Sequence, residues 1–368
     1  MIQFRMAEMC LLTQFPKLFH SQRLKRKTMI KARIKKAIHF YRNSRPFSRR
    51  LALYYALNSL SGNYLEKHRR TINMRHNILC REISRRIPQT MQRYSRLEYN
   101  YGERPAYPEP IWVCWLQGYD DMNGFINRCI KSLFDHAGDH PVIFIDNNNL
   151  ADYITIPEHI YKLKEEGKIG AAHYCDVIRM LILKNHGGLW VDADLFVSKQ
   201  ISEDFFSKSF VSEKNNHNDI PYRESIQYIS HGNWSVQVIG GWKNDSILSF
   251  ACDGLMEYWE NHDHIIHYFL FDYLIEIARR HIPGANKAIA EGGVDNGHYR
   301  LLNQAMKHGL QAAHYDNCIT DDTTFNTLNW KNDYPLKTEF GEDAVYARFL
   351  LNPMIDKDTL CKTSFEDK

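Results

Sequence analysis

The sequence predicts an α/β domain with a parallel sheet of the doubly wound type, preceded by a basic helical region. Three observations predict this organisation. Strand-like and helix-like segments alternate from residue 111 onward, which is typical of parallel sheets. Within residues 171–196, two glycines join a helix-like segment to a short apolar strand. Residues 1–105 carry 24 Lys and Arg against 5 Asp and Glu, whereas residues 106–368 carry 23 against 38.

The first 105 residues are predicted to form a basic helical N-terminal region. Residues 9–65 contain no acidic residue, and thirteen basic residues lie between positions 17 and 50. A second helix is expected from Arg49 to Leu60, and the three prolines within residues 101–110 indicate a linker. Such a charge split points to an anionic partner for the basic half.

Apolar residues repeat at helical spacing inside this basic region. Ile30, Ile34 and Ile38 are separated by Lys and Arg, a pattern that predicts a basic amphipathic helix. Helices of this kind lie on anionic lipid, so residues 1–60 are predicted to contact an anionic membrane surface. The alternative is a helical arm that packs on the acidic half of the chain. No nucleic-acid partner is expected, because no nucleic-acid motif accompanies the charge.

The cysteines and the apolar runs predict a location. None of the eight cysteines forms a Cys-x-x-Cys pair, so they are expected to be thiols of a reducing compartment. No apolar run approaches the roughly 18 residues that suggest a membrane span, and no signal peptide is expected. The predicted location is therefore the cytoplasm, peripherally on the inner face of the cell membrane.

The second half of the chain begins with alternating strands and helices. No Gly-x-Gly-x-x-Gly follows the first strand, so a dinucleotide cofactor is not expected. The loop around residues 291–297, rich in glycine, is expected to be flexible. Trp234, Gly240, Gly241 and Trp242 are candidates for a sugar site, and core aromatics and turn glycines are an equally good interpretation of them. The expected elements are a strand at Ile111–Trp115, a helix at Phe125–His136, a strand at Val142–Asp146, a short helix between Pro157 and Gly167, and later helices at Ser246–Trp259 and His264–His281.

The stretch from Ala171 to Phe196 carries the candidate chemistry. A helix with Asp176 and Arg179 three residues apart, and therefore on one face, ends at two glycines. The apolar strand that follows ends in Asp192-Ala193-Asp194, and residues two apart in a strand point to the same side. The two carboxylates can therefore converge at the carboxyl end of a strand, where open α/β sheets bind ligands. Paired carboxylates suit Mn²⁺ or Mg²⁺ and, through the metal, a diphosphate.

This stretch resembles glycosyltransferase family 32, and most closely the branch of capsular polysaccharide synthesis proteins. The resemblance lies in Ala172-His173-Tyr174, then Asp176 and Arg179, then the Gly-Gly pair, an aromatic residue and Asp-x-Asp. One departure is Cys175, where the family usually has Ser. The same core occurs in yeast mannosyltransferases and in clostridial glucosylating toxins.

The resemblance implies a GT-A fold, a Rossmann-like domain for nucleotide-diphosphate sugars, over residues 106–350, with residues 351–368 as a polar tail. It implies transfer of a sugar from a nucleotide-diphosphate sugar, most often a UDP-sugar, with retention of anomeric configuration. The acceptor would be a hydroxyl of a polysaccharide or lipid-linked oligosaccharide. Asp176, Arg179, Asp192 and Asp194 are the implied catalytic residues, with Asp194 the first metal ligand and Asp192 the second.

The same resemblance implies further contacts with the nucleotide sugar, besides Asp176, Arg179 and Asp192. Trp115 ends the first strand, where the family holds the nucleotide base, and Lys331 belongs to a late segment that folds over the diphosphate. Asn326 stands where the family usually has a His. Two other interpretations stay open. One is a toxin-like transferase that glycosylates a protein, and the other is a non-catalytic binding module with a basic arm.

Overall fold

The computed structural model describes residues 29–215 and 227–361. The first 28 residues of the predicted arm and the end of the predicted polar tail lie outside these ranges. The chain divides into two compact units, Met1–Glu82 and Ile83–Lys368. No helix in the two described ranges is long and apolar enough to span a membrane.

The N-terminal unit is helical. Residues 29–44 are helical (α1), followed by α2 (Arg49–Leu60) and α3 (Arg69–Ser84). The Ser48 hydroxyl caps α2 by accepting from the Leu51 N–H at 3.4 Å, and Gly62 and Asn63 follow the helix in the left-handed region, with φ of 69° and 64°. The predicted bounds of this helix are confirmed.

The C-terminal unit contains a six-stranded sheet and a separate pair of strands. The order in the large sheet is β2-β1-β3-β6-β5-β7, and β4 pairs with β8. The strands are β1 (Ile111–Cys114), β2 (Val142–Ile145), β3 (Gly188–Val191), β4 (Leu195–Val197), β5 (Phe210–Asn215), β6 (Val238–Gly241), β7 (Gly293–Asn296) and β8 (Phe325–Thr327).

The large sheet is mixed rather than parallel throughout. β1 is parallel to β2 and to β3, as the alternating pattern predicts, and β5 is parallel to β7. β6, however, runs antiparallel to both β3 and β5. The prediction of a parallel sheet therefore holds for the first three strands. It fails beyond them, because β6 enters the sheet beside β3 without a crossover helix to reverse its direction.

Helices surround the large sheet. The expected helices at residues 125–136, 171–186 and 246–259 are present, whereas the one expected from His264 begins only at Leu270. The helices are α4 (Pro88–Tyr94), α5 (Gly124–His136), α6 (Leu150–Tyr153), α7 (Glu158–Glu165), α8 (Ala171–His186), α9 (Ser246–Asn261), α10 (Leu270–His281), α11 (Ala285–Glu291), α12 (Leu301–Lys307), α13 (Val345–Phe349) and α14 (Lys357–Cys361).

The glycine-rich stretch near residue 293 is an edge strand of the sheet, not the flexible loop that its composition suggests. β7 pairs with β5 from Ser212–Gly293 to Asn215–Asn296. A Cβ on Gly292 would collide with the carbonyl oxygen of Phe210. Glycine is needed here for close backbone approach rather than for motion.

The small sheet brings a late part of the chain beside the Asp-x-Asp turn. β4 follows that turn directly, and Phe196 of β4 lies opposite Asn326 of β8. The residues that follow β8, as far as Lys331, therefore run past the carboxyl end of β3.

Candidate active site

A cavity of about 530 Å³ lies within the C-terminal unit at the carboxyl ends of β1 and β3. Its walls come from segments far apart in the sequence: the end of β1, the first half of α8, the turn after β3, the start of α10 and the segment after β8. A volume of this size suits a ligand with several rings. The residues that line it include Trp115, Asp176, Arg179, Asp192, Asp194, Trp234, Asp272, Trp330 and Lys331.

The junction between α8 and β3 places the charged residues of the helix beside the end of the strand. Helix α8 ends at His186, and Gly187 adopts φ of 71°. The Trp112 indole donates to the Gly187 carbonyl at 2.8 Å. A side chain at Gly188 would collide with Pro110, so the reversal requires glycine. Because the chain doubles back here, the first half of α8 lies next to the turn that follows β3.

Arg179 is a buried residue that holds Asp192. Its Nη2 donates to Asp192 Oδ1 at 2.7 Å, and its Nη1 lies 3.4 Å from Asp176 Oδ1. The guanidinium carbon lies 5.1 Å from the Trp190 ring centroid and 5.6 Å from that of Phe271. The side chain is only 6% exposed. Arg179 also lines the cavity, and its Nε and Nη1 atoms have no hydrogen-bond partner among the described residues, so the expected contact with phosphate or sugar oxygens stays a prediction.

The Asp-x-Asp motif lies in a turn and not in the strand itself. β3 ends at Val191, and the Leu195 N–H closes the turn by donating to the Asp192 carbonyl at 3.2 Å. Strand alternation therefore does not orient the two carboxylates, contrary to the prediction, although both line the same cavity. Asp192 Oδ1 also accepts from the Trp190 indole at 2.8 Å. Two donors thus fix this carboxylate.

Burial raises the pKa of Asp194 and that of Asp176, two carboxyl groups that line the cavity. Burial, and secondarily the Asp192 carboxylate, raise the pKa of Asp194 to about 7, against a backbone hydrogen bond and the Lys331 ammonium group, which lower it. Burial also raises the pKa of Asp176 to about 6, although Arg179 and His173 oppose the shift. A cation or a set of hydroxyl donors would stabilise both ionised groups.

Asp272 is a site residue that the sequence did not reveal. It lies in the first turn of α10 and lines the cavity. Burial and the Asp176 carboxylate raise its pKa to about 7, whereas the Trp234 indole and the charge of Arg179 lower it. One signal was present, namely an aspartate in the middle of the apolar run Phe269 to Leu274.

The opposite wall of the cavity is aromatic and carries a cation. Trp115 and Trp330 meet edge to face, with ring centroids 5.5 Å apart. The Lys331 ammonium lies 5.3 Å from the centroid of the Trp330 ring. The structure thus brings Trp115 and Lys331 to the same cavity as the four predicted catalytic residues.

Asn326 is the predicted site residue that the structure does not bring to the cavity. It is fully buried in β8, and its amide donates to the Phe196 carbonyl at 3.1 Å and to the Ser198 hydroxyl at 3.0 Å. Its geometry is that of a residue that joins β8 to β4.

The carboxylates of the turn fit a divalent ion that is bound together with a substrate. Within the described ranges, no group of three or more His, Cys, Asp and Glu side chains could hold a metal ion alone. Asp194 and Asp192 would supply two carboxylates, and Asp192 Oδ1 is already held by Arg179 and Trp190. Mg²⁺ is typically held by one or two carboxylates, with phosphate oxygens and water completing the shell.

Comparisons with known proteins identify the family of the chain. Residues 62–349 match the family model described as capsular polysaccharide synthesis protein. A stretch of 107 residues is 25% identical to the O-glycosyltransferase braB of Annulohypoxylon truncatum, covering 27% of this chain and 25% of that protein. The chain thus matches about a quarter of the length of this curated relative.

Among solved structures, the PaToxG glycosyltransferase is a distant match. The match has 15% sequence identity and a TM-score of 0.34, and it covers 59% of this chain and 83% of that one. The family model, in contrast, spans well over half of the sequence and includes every segment that lines the cavity. The chain therefore belongs to the family of capsular polysaccharide synthesis proteins.

Proposed function

We propose that this protein is a metal-dependent glycosyltransferase that moves a sugar from a nucleotide-diphosphate sugar, with UDP-sugars the first candidates, to a hydroxyl group. The acceptor is a growing capsular or cell-surface polysaccharide or a lipid-linked oligosaccharide. One observation carries the proposal. Two carboxylates of one turn, Asp192 and Asp194, share a cavity with Lys331 from a segment more than 130 residues later in the chain.

The cavity offers separate surfaces for the parts of a nucleotide sugar. The indole of Trp115 and that of Trp330 provide flat faces for a nucleobase, and Lys331 offers a cation to the diphosphate. Asp176 and Asp272, on the other side, offer acceptors to sugar hydroxyls. We propose that the base, the diphosphate and the sugar bind at these three groups of residues.

The reaction breaks the bond between the anomeric carbon and the diphosphate, so the protein must stabilise the departing negative charge. Lys331 supplies a positive charge near Asp194, as its effect on the pKa of that carboxyl indicates. A divalent ion at Asp194 and Asp192, when bound, would add Lewis-acid stabilisation of the diphosphate. Arg179 contributes by holding Asp192 in place, because it is bonded to that carboxylate and buried.

We further propose that the anomeric configuration is retained, by attack of the acceptor on the face that the diphosphate leaves. This follows the family resemblance. It is tested by proton NMR of the glycoside formed before mutarotation. A product of inverted configuration would contradict it.

The N-terminal unit suits an enzyme whose acceptor is at a membrane. On α1, five apolar residues are between 37% and 48% exposed, namely Met29, Ile30, Ile34, Ile38 and Tyr41. They are interspersed with basic residues, and no acidic residue occurs from residue 29 to residue 65. We propose that this surface binds anionic lipid on the inner face of the cell membrane.

The proposed activity is tested by release of UDP from UDP-sugars in the presence of Mn²⁺, with and without membranes as the source of acceptor. We expect one or a few UDP-sugars to be turned over and EDTA to stop the reaction. Asp194→Asn should lower the rate by at least about a hundredfold, since it removes a ligand and a charge together. Turnover that persists in EDTA would refute metal dependence.

A further inference from the structure

The end of the cavity formed by α8 and α10 holds two carboxyl groups. Asp176 lies in the second turn of α8 and Asp272 in the first turn of α10, and both line the cavity. The ionised form of Asp176 raises the pKa of Asp272, so the two groups interact electrostatically. They face the same volume from different helices.

Arg179 is a cation that acts on both carboxyl groups, and it is shared with Asp192. Arg179 gives its shortest bond, 2.7 Å, to Asp192, and lies farther, at 3.4 Å, from Asp176. Among the residues that the structure describes, Asp272 forms no ion pair. Asp176, Asp192 and Asp272 thus share the charge of one guanidinium, so this part of the cavity carries more negative than positive charge.

A ligand group that fits here must supply hydrogen-bond donors and no negative charge. Carboxylates are acceptors, and the hydroxyl groups of a neutral hexose are donors at several positions of one ring. Apolar faces complete the wall, since Phe271 and Trp234 also line it. A uronic acid would place a third carboxylate between the first two, and like charges in a buried site repel strongly.

We propose that Asp272, together with Asp176, selects a nucleotide-linked neutral sugar and excludes a nucleotide-linked uronic acid. This inference rests on the proposed function, because it assumes that the cavity binds the donor. It adds Asp272 as a specificity-determining residue that contacts the hydroxyl groups of the transferred sugar.

The test is a comparison of affinities at pH 8 with Mn²⁺ present. UDP alone, UDP-glucose, UDP-galactose, UDP-glucuronate and UDP-galacturonate would be titrated by calorimetry against the full-length protein. We expect each acidic sugar nucleotide to bind at least about tenfold more weakly than its neutral counterpart. In Asp272→Asn this ratio should shrink to about threefold or less, while the affinity for UDP alone stays unchanged.

A matched control is Asp263→Asn. Asp263 is an exposed aspartate that pairs with His264 at 2.6 Å and with Lys168 at 3.4 Å, and it does not line the cavity. This variant should leave every affinity unchanged. Asp272→Ser serves as a second variant, and thermal unfolding of each variant shows whether it is folded.

The outcomes separate the two proposals. If UDP binds but neutral and acidic sugars bind equally well, or if Asp272→Asn leaves their ratio unchanged, the role of Asp272 is refuted while the donor site stands. If GDP binds instead of UDP, GDP-mannose and GDP-mannuronate replace the UDP pairs, with the same expectations. If no nucleoside diphosphate binds, the donor site and the role of Asp272 are both refuted.

Discussion

Arg179 shows how a single residue of the site can act through another. Its guanidinium holds Asp192 from one side while the Trp190 indole holds the same oxygen from the other. The carboxylate is thereby fixed before any ligand arrives. Preorganisation of this kind matters because misplacement of a ligating group by about 1 Å can cost a hundredfold in rate.

Replacing Arg179 with Lys should lower the rate of sugar transfer by about ten- to a hundredfold, because an ammonium group cannot reproduce the planar fork that reaches Asp192 and lies near Asp176. Steady-state kinetics with saturating Mn²⁺ would measure this loss of rate. Arg93→Lys is the control, since Arg93 pairs with Asp253 at 2.7 Å but its side chain is 64% exposed and lies outside the cavity. An unchanged rate of sugar transfer in Arg179→Lys would show that the planar guanidinium group is not needed.

Asp272 gives a prediction about pH. Its pKa is raised to about 7 in the folded protein, from 3.8 in a model peptide. The folded state therefore binds its proton more tightly than the unfolded state, so this group's contribution to stability is lost as the pH rises from about 4 to about 7. Asp272→Asn, which carries no charge, should be more stable than the natural protein at pH 8, by about 1–3 kcal/mol, with the gain shrinking toward pH 4.

Denaturant unfolding at pH 4, 6 and 8 would measure this difference. Asp263→Asn is again the control, because Asp263 is exposed. A difference that is the same at every pH would show that the charge of Asp272 is not the cause.

Several individual residues of the candidate site could be predicted from the sequence. Asp176, Arg179, Asp192 and Asp194 could be found because they lie close together in the chain, on one helix and in the turn after the next strand. Asp272 could not, because its approach to Asp176 depends on how α10 packs against the rest of the unit. The prediction that Asn326 contacts the donor could not be checked from the sequence either, because only the pairing of β8 with β4 shows that Asn326 faces inward.

At the scale of elements, the site depends on how β8 is anchored. The Asn296 amide, at the end of β7, donates to Glu213 Oε2 at 2.7 Å and to the Phe325 carbonyl at 2.8 Å. The side-chain oxygen of Asn296, Oδ1, accepts from the backbone N–H groups of Thr324 and Phe325 at 2.9 and 3.1 Å. Through this buried residue the edge of the large sheet holds the strand that leads to Lys331.

Asn296→Ala should destabilise the protein by about 2–4 kcal/mol, because it leaves a buried carboxyl and two buried N–H groups without their partner. It should also weaken the binding of UDP, since the segment carrying Lys331 loses its anchor. The neighbouring Asp295 is 85% exposed at its side chain, and its contact with Lys214 is long, at 3.9 Å, so Asp295→Ala should change stability by less than about 0.5 kcal/mol. Equal effects of the two substitutions would contradict this assignment.

The elements divide into those that local pattern could predict and those that it could not. The first three strands and the helices between them follow clear alternation and were predicted closely. β6 and β7 were not, because their glycines, which suggest loops, are there for close contact between backbones. A Cβ on Gly240 would come within 2.9 Å of Leu189 Cα, and one on Gly292 would meet the Phe210 carbonyl.

At the scale of the whole molecule, the separation of charge along the chain matches the proposed division of labour. The basic unit carries an exposed apolar stripe on α1, and α2 adds Leu53, Leu57 and Leu60, which are 47% to 53% exposed. The acidic half of the chain carries the cavity. Binding to a surface and transfer of a sugar are thus assigned to different parts of the sequence.

The membrane proposal predicts that Ile34→Asp combined with Ile38→Asp weakens binding to vesicles that contain anionic lipid by at least about tenfold, because both apolar side chains would leave the lipid interface. Cosedimentation of each variant with these vesicles would measure the binding. The control replaces the exposed Leu310 of the C-terminal unit with Asp. Unchanged vesicle binding, together with unchanged UDP-sugar hydrolysis, would show that α1 does not contact lipid.

The central claim is that the cavity binds a nucleotide sugar through a divalent ion at the Asp-x-Asp turn. The most direct measurement is the thermal unfolding of the natural protein and of Asp194→Asn with a panel of UDP-sugars, with and without Mn²⁺. A ligand at a hundred times its dissociation constant should stabilise the fold by about 2.7 kcal/mol. We predict stabilisation by at least one UDP-sugar that requires Mn²⁺ and is lost in Asp194→Asn. Stabilisation that is the same without Mn²⁺ or in Asp194→Asn, or no stabilisation by any UDP-sugar, would contradict the claim.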